Sequence, residues 1–227
     1  MTDNVSRVSF GMMSMSSPLA NAALLRRVGE YHLENNEPCE DAGMVIFLEK
    51  SNAVVAITAD GLGDKSYIYA RHGSQLLCQC IAMNLAQQEA TALSLTQITQ
   101  YVRFGYKQFC RLLAAYFTAY FNSAEKNSYP ILFATTMVCS IITHKETRNI
   151  IAGDGQVIVT NSEGEIIDFW YDPRYTENGT TGTSSVFSDN DWMQLDKTTQ
   201  RFTIVSTDGL KRVLPRKFWG GNSSSPE

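Results

Sequence analysis

The stretch MVIFLEKSNAVVAITADGLGD, residues 44–64, contains two apolar runs and ends in an acidic turn. Residues 44–49 (MVIFLE) and 53–59 (AVVAITA) are rich in β-branched side chains, and the polar tripeptide KSN separates them. This pattern predicts a β-hairpin. The second strand leads directly into Asp60-Gly61, which places a carboxyl group at the end of a hydrophobic strand.

The chain then changes to a helical period. The apolar residues of a first helical segment recur at three- and four-residue spacing: Tyr69, Leu76, Leu77, Cys80, Ile81 and Leu85. Ser94 and Gln97 form a capping box that opens a second helix. The apolar stripe of this helix predicts a core-facing side rather than an aromatic binding face. Its members are Ile98, Val102, Phe109, Leu112, Leu113, Tyr116, Phe117 and Tyr120.

The strand period returns after Pro130. Short apolar runs are joined by the hairpin-length connections HKET, GDG and NSEG; they cover residues 136–143, 148–152, 156–160, 165–169 and 202–206. Residues 171–200 are polar and predict a long surface excursion. Parallel strands would need crossover helices between most of these runs, so the pattern predicts an α+β fold with antiparallel sheets. Residues 1–20 predict a flexible N-terminal arm, and residues 21–227 a single domain.

The amino-acid composition excludes several classes of protein. The 227-residue chain is 44% hydrophobic and 19% charged, which is typical of a folded domain rather than a disordered one. Its net charge of -4 argues against nucleic-acid binding. No run of roughly 18 apolar residues predicts a membrane span, and the N-terminus does not have the pattern of a secretory signal. Five cysteines without paired metal-ligand spacing predict reduced thiols and a cytoplasmic location.

Acidic residues follow or precede the predicted strands at four places. Asp-Gly pairs begin at Asp60, Asp154 and Asp208, and Glu40-Asp41 precedes the first strand of the hairpin. Each pair taken alone is compatible with ordinary turn chemistry. If neighbouring strands bring these ends together, the carboxylates repel one another unless cations neutralise them. Carboxylate and carbonyl oxygens suit Mg²⁺ or Mn²⁺ rather than soft metals.

The order of these motifs resembles the metal-dependent type-2C protein phosphatases, in particular the compact bacterial branch. The motifs cover residues 29–210 and appear in the family's order as HLENNEPCEDA, ITADGLGD, FATTMVCSII, IIAGDGQVIV and IVSTDGL. The resemblance implies an α/β/β/α sandwich, in which two antiparallel β-sheets are flanked by helix pairs. It also implies a catalytic centre with two Mn²⁺ or Mg²⁺ ions and room for a third.

The resemblance assigns roles residue by residue. Asp60 would bridge two metal ions, the Gly61 carbonyl would help to hold one of them, and Asp208 would be a second carboxylate ligand. A water between the two ions would attack the phosphoester in line. Asp60, Asp208 and Asp41 are the expected catalytic set.

Two further expectations concern the surroundings of that pair of ions. Glu40 and Asp41 would act on metal-bound water in the outer shell. Asp154, together with Asp208, would hold the third and weaker ion.

The sequence departs from the family pattern in three respects. Leu62 stands where eukaryotic members have a His that assists the leaving group. The phosphate-binding Arg of the family is absent from residues 33–39, so Arg26, Arg27 and His32 are the candidates to replace it. Nineteen residues follow Asp208 and none is Asp, so the final family strand and its metal-ligating Asp are expected to be missing, either naturally or by truncation.

The resemblance implies a metal-dependent protein serine/threonine phosphatase that acts on a phosphorylated protein, either a Ser/Thr kinase or its target, in bacterial signalling. The alternative is a catalytically weak or inactive pseudophosphatase that binds phosphoproteins as a regulatory module. The missing Asp and phosphate-binding Arg favour the alternative, whereas the presence of Asp60, Asp154 and Asp208 favours the enzyme. A different metal-dependent hydrolase is the third interpretation.

Overall fold

Ten strands and two long helices form the part of the chain that the structure, a computed structural model, describes. The described residues are 10–28, 33–34, 38–63, 67–88, 90–120, 132–172, 193–198 and 202–212. The strands are β1 Phe10–Ser16, β2 Asn21–Arg27, β3 Ala42–Leu48, β4 Ala53–Ala59, β5 Met137–Thr143, β6 Glu146–Ala152, β7 Gln156–Thr160, β8 Ile166–Tyr171, β9 Met193–Thr198 and β10 Phe202–Ser206. The helices are α1 Ala70–Ala86 and α2 Leu95–Tyr120, and 3₁₀ turns cover Glu49–Ser51 and Asp208–Arg212.

All of the strand pairs in the described residues are antiparallel. A five-stranded sheet has the order β3-β4-β5-β6-β9, a three-stranded sheet has the order β10-β7-β8, and β1 pairs with β2. The predicted hairpin is confirmed as β3–β4, with Asn52 in the left-handed region at its turn. The predicted α+β class is therefore confirmed.

Two apolar cores order these elements into layers. The larger core lies between the helices and the five-stranded sheet and includes Ile57 of β4, Ile81 of α1 and Phe109 of α2. The smaller core lies between the two sheets and contains Val157 of β7 and Trp170 of β8. The described elements thus form a helix pair, a five-stranded sheet and a three-stranded sheet in succession. Neither of the two helices is long and apolar enough to cross a membrane.

The two helices are in close contact. A Cβ added at Gly105 of α2 would lie 2.5 Å from the Ile81 Cα atom of α1, so only glycine allows this approach. The capping box at the start of α2 is confirmed, because Gln97 N–H donates to Ser94 Oγ (3.3 Å) and Ser94 N–H donates to Gln97 Oε1 (2.9 Å).

The helical stripe predicted for α2 is confirmed only in part. Ile98, Val102, Phe109 and Leu113 are buried as expected. Leu112 and Tyr116 are each 44% exposed, which contradicts their assignment to the core. The stripe is wider than the contact with the sheet and α1, so its edge remains at the surface. The side chains of Phe117 and Tyr120 lie outside the described part of the structure.

Three strands were not predicted: β1, β2 and β9. Residues 1–20 were assigned to a flexible arm, but Phe10–Ser16 forms β1, which pairs with β2 along its whole length. β9 lies within the stretch predicted as a surface excursion and pairs with β6 at the edge of the five-stranded sheet. Pairing with a neighbouring strand stabilises each of these strands: β1 and β2 pair with each other across a short connection, and β9 pairs with β6. Such main-chain pairing leaves no strong side-chain period in the sequence. Residues 1–9 lie outside the described part.

The cysteines agree with the prediction of reduced thiols. All five lie in the described ranges, none of them forms a disulfide there, and four are buried. Burial raises the pKa of Cys78 to about 12 and that of Cys80 to about 11, so both thiols stay protonated at neutral pH.

Candidate metal centre

Strand register brings Asp41 and Asp60 together. β3 pairs with β4 up to Ala42 and Ala59, and these two aspartates are the next residues on their strands. They therefore face each other at the end of the hairpin, although they are far apart in the chain. Their side chains share a hydrogen bond.

The backbone of Asp60 continues the pairing of β4 with β5. Asp60 N–H donates to Thr136 Oγ1 (3.2 Å), and Thr136 N–H donates to the Asp60 carbonyl (2.8 Å). Gly61 forms the next bridge, with Thr135. Thr136 is buried and thereby fixes the Asp-Gly turn from the side of β5. Thr136 was not predicted to belong to the site; the signal that could have found it was the Thr-Thr pair inside one of the family motifs.

Asp154 lies where the chain crosses from one sheet to the other. Gly153, between β6 and this residue, has φ +107, and a Cβ there would lie 2.6 Å from the Thr136 Cβ atom. Only glycine adopts this conformation and fits this contact without strain. The crossing therefore passes directly over Thr136, which also holds Asp60.

Asp208 reaches the same place from β10. β7 pairs with β10 up to Gln156 and Ser206, and Asp154 and Asp208 each lie two residues beyond that last pair. The Gln156 side-chain amide donates to the Thr207 carbonyl (3.3 Å), next to Asp208. The end of the second sheet thus supplies two more carboxyl groups.

Electrostatic interactions link Asp41, Asp154 and Asp208 to Asp60. Burial raises the pKa of Asp60 well above its usual range, and the charge of Asp41, the hydrogen bond with Asp41, and the charges of Asp208 and Asp154 raise it further. A cation offsets this repulsion. The donor set consists of oxygen atoms alone, which fits Mg²⁺ or Mn²⁺. Within the described ranges, no three acidic, His or Cys side chains are close enough together to ligate one ion as they stand.

The helix α1 braces the segment that carries Glu40 and Asp41. The buried Ser74 hydroxyl donates to the Glu40 carbonyl. A Cβ added at Gly61 would lie 2.8 Å from the same carbonyl and 2.9 Å from the carbonyl oxygen of Ala70 at the start of α1. Ser74 was also missed from the sequence, because a hydroxyl inside a helical pattern carries no signal of a distant partner.

Among the candidate phosphate-binding residues, Arg26 lies beside this segment. Its Nη2 donates to the Cys39 carbonyl (2.8 Å), immediately before Glu40. The Arg27 side chain and His32 lie outside the described part of the structure. Leu62 follows the Asp-Gly turn, and its N–H donates to the Ala134 carbonyl (3.2 Å).

The described elements form two antiparallel sheets and a helix layer, with acidic residues at the strand ends. The family model of Protein phosphatase 2C matches residues 28–221. The chain belongs to the protein phosphatase 2C family.

Solved structures share the fold at low sequence identity. The chain is similar to the serine/threonine phosphatase Stp1 from Staphylococcus aureus, at 15% identity and a TM-score of 0.56, over 92% of this chain and 79% of that one. It is also similar to a bacterial serine phosphatase, at 15% identity and a TM-score of 0.53, over 92% and 81% of the two chains. A third is PppA, a regulatory component of T6SS in Pseudomonas aeruginosa, at 15% identity and a TM-score of 0.52, over 89% and 78%. No curated protein sequence matches the chain.

Proposed function

We propose that this chain is a metal-dependent protein phosphatase that hydrolyses phosphoserine and phosphothreonine in a cytoplasmic protein, either a Ser/Thr kinase or its target. The observation that carries the proposal is the convergence of Asp41, Asp60, Asp154 and Asp208 from two sheets onto one place. A fold stabilised without function would not gather four carboxyl groups, because each one makes the others harder to ionise.

The resemblance to the family supplies the roles that we propose for these residues. Asp60, the Gly61 carbonyl and Asp208 would hold two Mn²⁺ or Mg²⁺ ions, and Asp154 with Asp208 would hold a third. When bound, such ions neutralise charge on the phosphoryl group and supply an activated water at neutral pH.

We assign proton transfer to Asp41 and Glu40, and binding of the substrate phosphate to Arg26. Asp41 is hydrogen-bonded to Asp60 and would accept a proton, and Glu40 precedes it on the segment that Ser74 braces. Arg26 is the candidate cation for the substrate phosphate, since it is the candidate that lies beside Glu40.

A pseudophosphatase that binds phosphoproteins is the second candidate function. Two observations favour it. Arg26 uses one donor on the Cys39 carbonyl, and Leu62 offers no proton to a leaving group. Such a protein would retain phosphopeptide binding without turnover.

The experiment compares hydrolysis of a phosphothreonine peptide by the parent chain and by Asp60→Asn, in the presence of Mn²⁺. The phosphatase predicts a loss of several orders of magnitude in kcat, as expected when an activated nucleophile is removed. Asp168→Asn on β8 is the matched control, because its carboxyl oxygen accepts from the neighbouring Phe169 N–H (2.9 Å) and Asn retains that oxygen. A kcat of Asp60→Asn within about threefold of the parent rules out the assignment. No turnover by the parent, with retained binding of the phosphopeptide, assigns the chain to the pseudophosphatases.

A further inference from the structure

Gln156 connects two chain segments that carry acids of the candidate metal centre. It is the first residue of β7, lies two residues after Asp154, and its side chain is fully buried (0% exposed). Its Nε2 donates to the Thr207 carbonyl (3.3 Å), and the residue after that carbonyl is Asp208. One side chain thus joins the segment of Asp154 to the segment of Asp208.

This hydrogen bond acts on the peptide group that leads into Asp208. The Thr207 carbonyl and the Asp208 N–H belong to one planar unit, so a donor that holds the carbonyl also fixes the direction in which the chain leaves β10. The pairing of β10 with β7 ends at Ser206, and the 3₁₀ turn begins at Asp208. The peptide group therefore lies between these two elements, and the Gln156 side chain holds it there.

Close packing already sets the two segments against each other. A Cβ added at Gly155 would overlap the Val138 side chain and would lie 3.0 Å from the Ser206 carbonyl oxygen. The residue between Asp154 and Gln156 therefore has no room for a side chain against the end of β10. Because packing fixes the distance between the segments, rotation of the Thr207 peptide group is the freedom that the Gln156 hydrogen bond removes.

Stability alone does not account for an amide at this position. Among the described residues, Gln156 Oε1 and Ser206 Oγ are buried without a hydrogen-bond partner, and these two residues form a cross-strand pair. A buried polar atom without a partner destabilises a fold, and an apolar side chain of similar size would remove that cost. What the amide supplies in return is the donor to the Thr207 carbonyl.

We infer that Gln156 is a positioning residue for the third metal ion of the proposed phosphatase. It orients Asp208 so that this carboxylate and Asp154 can face the same ion, and it touches neither the ion nor the substrate. Hydrogen-bond partners that orient a metal ligand typically contribute about 10- to 100-fold to metal affinity. The inference rests on the proposed function, because it is there that Asp154 and Asp208 hold an ion.

The test compares Mn²⁺ binding by the full chain and by Gln156→Met, measured from the electron paramagnetic resonance signal of free Mn²⁺. Met retains the length of the side chain and removes the donor. Ser206→Ala is the matched control, because it removes a buried polar atom from the same cross-strand pair and leaves the bond to the Thr207 carbonyl intact. We expect the Kd of the weakest binding step to rise at least about tenfold in Gln156→Met and less than about twofold in Ser206→Ala.

Peptide turnover separates positioning from a general structural role. In Gln156→Met the Mn²⁺ concentration for half-maximal turnover should rise about tenfold. The KM for a phosphothreonine peptide and the kcat at saturating Mn²⁺ should stay within about twofold of the parent values. Thermal unfolding checks the fold of each variant. If Gln156→Met does not fold, Gln156→Asn replaces it with the same expected direction, because its amide is one methylene shorter.

The outcomes distinguish this inference from the proposed function. Equal Mn²⁺ affinity of Gln156→Met and the parent overturns the inference, and turnover by both proteins then leaves the phosphatase in place. Equal losses in Gln156→Met and Ser206→Ala also overturn it. Weaker Mn²⁺ binding by Gln156→Met, without turnover by either protein, supports the positioning role and overturns the enzymatic function. A parent chain that binds no Mn²⁺ overturns both.

Discussion

Adding a single methyl group at Gly61 tests the geometry of the candidate metal centre most directly. In Gly61→Ala the new Cβ would meet the Glu40 carbonyl at 2.8 Å and the Ala70 carbonyl carbon and oxygen at 2.9 Å, all of them backbone atoms. Ordinary contact begins at 3.4 Å, so the backbone has to move by about 0.6 Å. Overpacking of this kind costs about 1–3 kcal/mol. The melting temperature should fall by about 2–12 °C for a chain of this size.

The same displacement should lower activity. Gly61 adjoins Asp60, and the atoms that must give way belong to the segment that carries Glu40. A misplacement of about 1 Å can cost about 100-fold in rate, so we expect kcat toward a phosphothreonine peptide to fall by roughly 10- to 100-fold.

Gly209→Ala is the matched control, because it also changes the glycine of an Asp-Gly pair beside the site. The nearest atom to a Cβ there is Thr207 Oγ1 at 3.9 Å, which leaves room. Urea unfolding and peptide turnover of both variants provide the measurement. A Gly61→Ala variant whose free energy of unfolding stays within about 0.5 kcal/mol of the parent value would refute the reasoning. A Gly209→Ala variant that loses as much stability as Gly61→Ala would refute it as well.

Three further outcomes are expected. Turnover of the phosphopeptide should vanish in EDTA and return with roughly millimolar Mn²⁺ or Mg²⁺ but not with Zn²⁺ alone, as measured by phosphate release; activity that persists in excess chelator contradicts the oxygen-ligand site. Ser74→Ala should lower kcat with little change in KM, because it frees the Glu40 carbonyl without touching substrate, and Ser74→Thr should restore part of the rate if the hydroxyl is the cause. Asp196→Asn should lose about 0.5 kcal/mol of stability at pH 7, and the difference should shrink as acid protonates the Asp196 carboxyl group. Hydrogen bonds from Arg148 lower the pKa of Asp196 in the folded protein. The stabilisation is therefore fully present above the unfolded pKa of about 3.9 and is lost as the pH falls through the folded pKa. A stability difference in urea unfolding that does not depend on pH contradicts this prediction.

Local side-chain patterns were enough to find the elements that build the core. β3 and β4 follow from two β-branched runs around a polar turn, and α1 from apolar residues at helical spacing, because each period reflects burial of one face. The capping box of α2 was found for the same reason, since Ser94 and Gln97 are neighbours in the chain. β1 and β9 have no such pattern, and their pairing partners stabilise them instead.

The candidate site, in contrast, depends on the tertiary structure more than on local sequence patterns. Its aspartates could be named from their places at strand ends, but their convergence depends on registers between distant segments. Asp60 is held by Thr136, 76 residues away, and the register of β7 with β10 brings the chain ends that carry Asp154 and Asp208 to the same edge of the sheet. Local spacing contains no information about such a register, which is set by the energy of the whole sheet. Local spacing likewise does not predict that Ser74 contacts the Glu40 carbonyl or that Leu112 is exposed. Both features depend on which surfaces the folded layers cover.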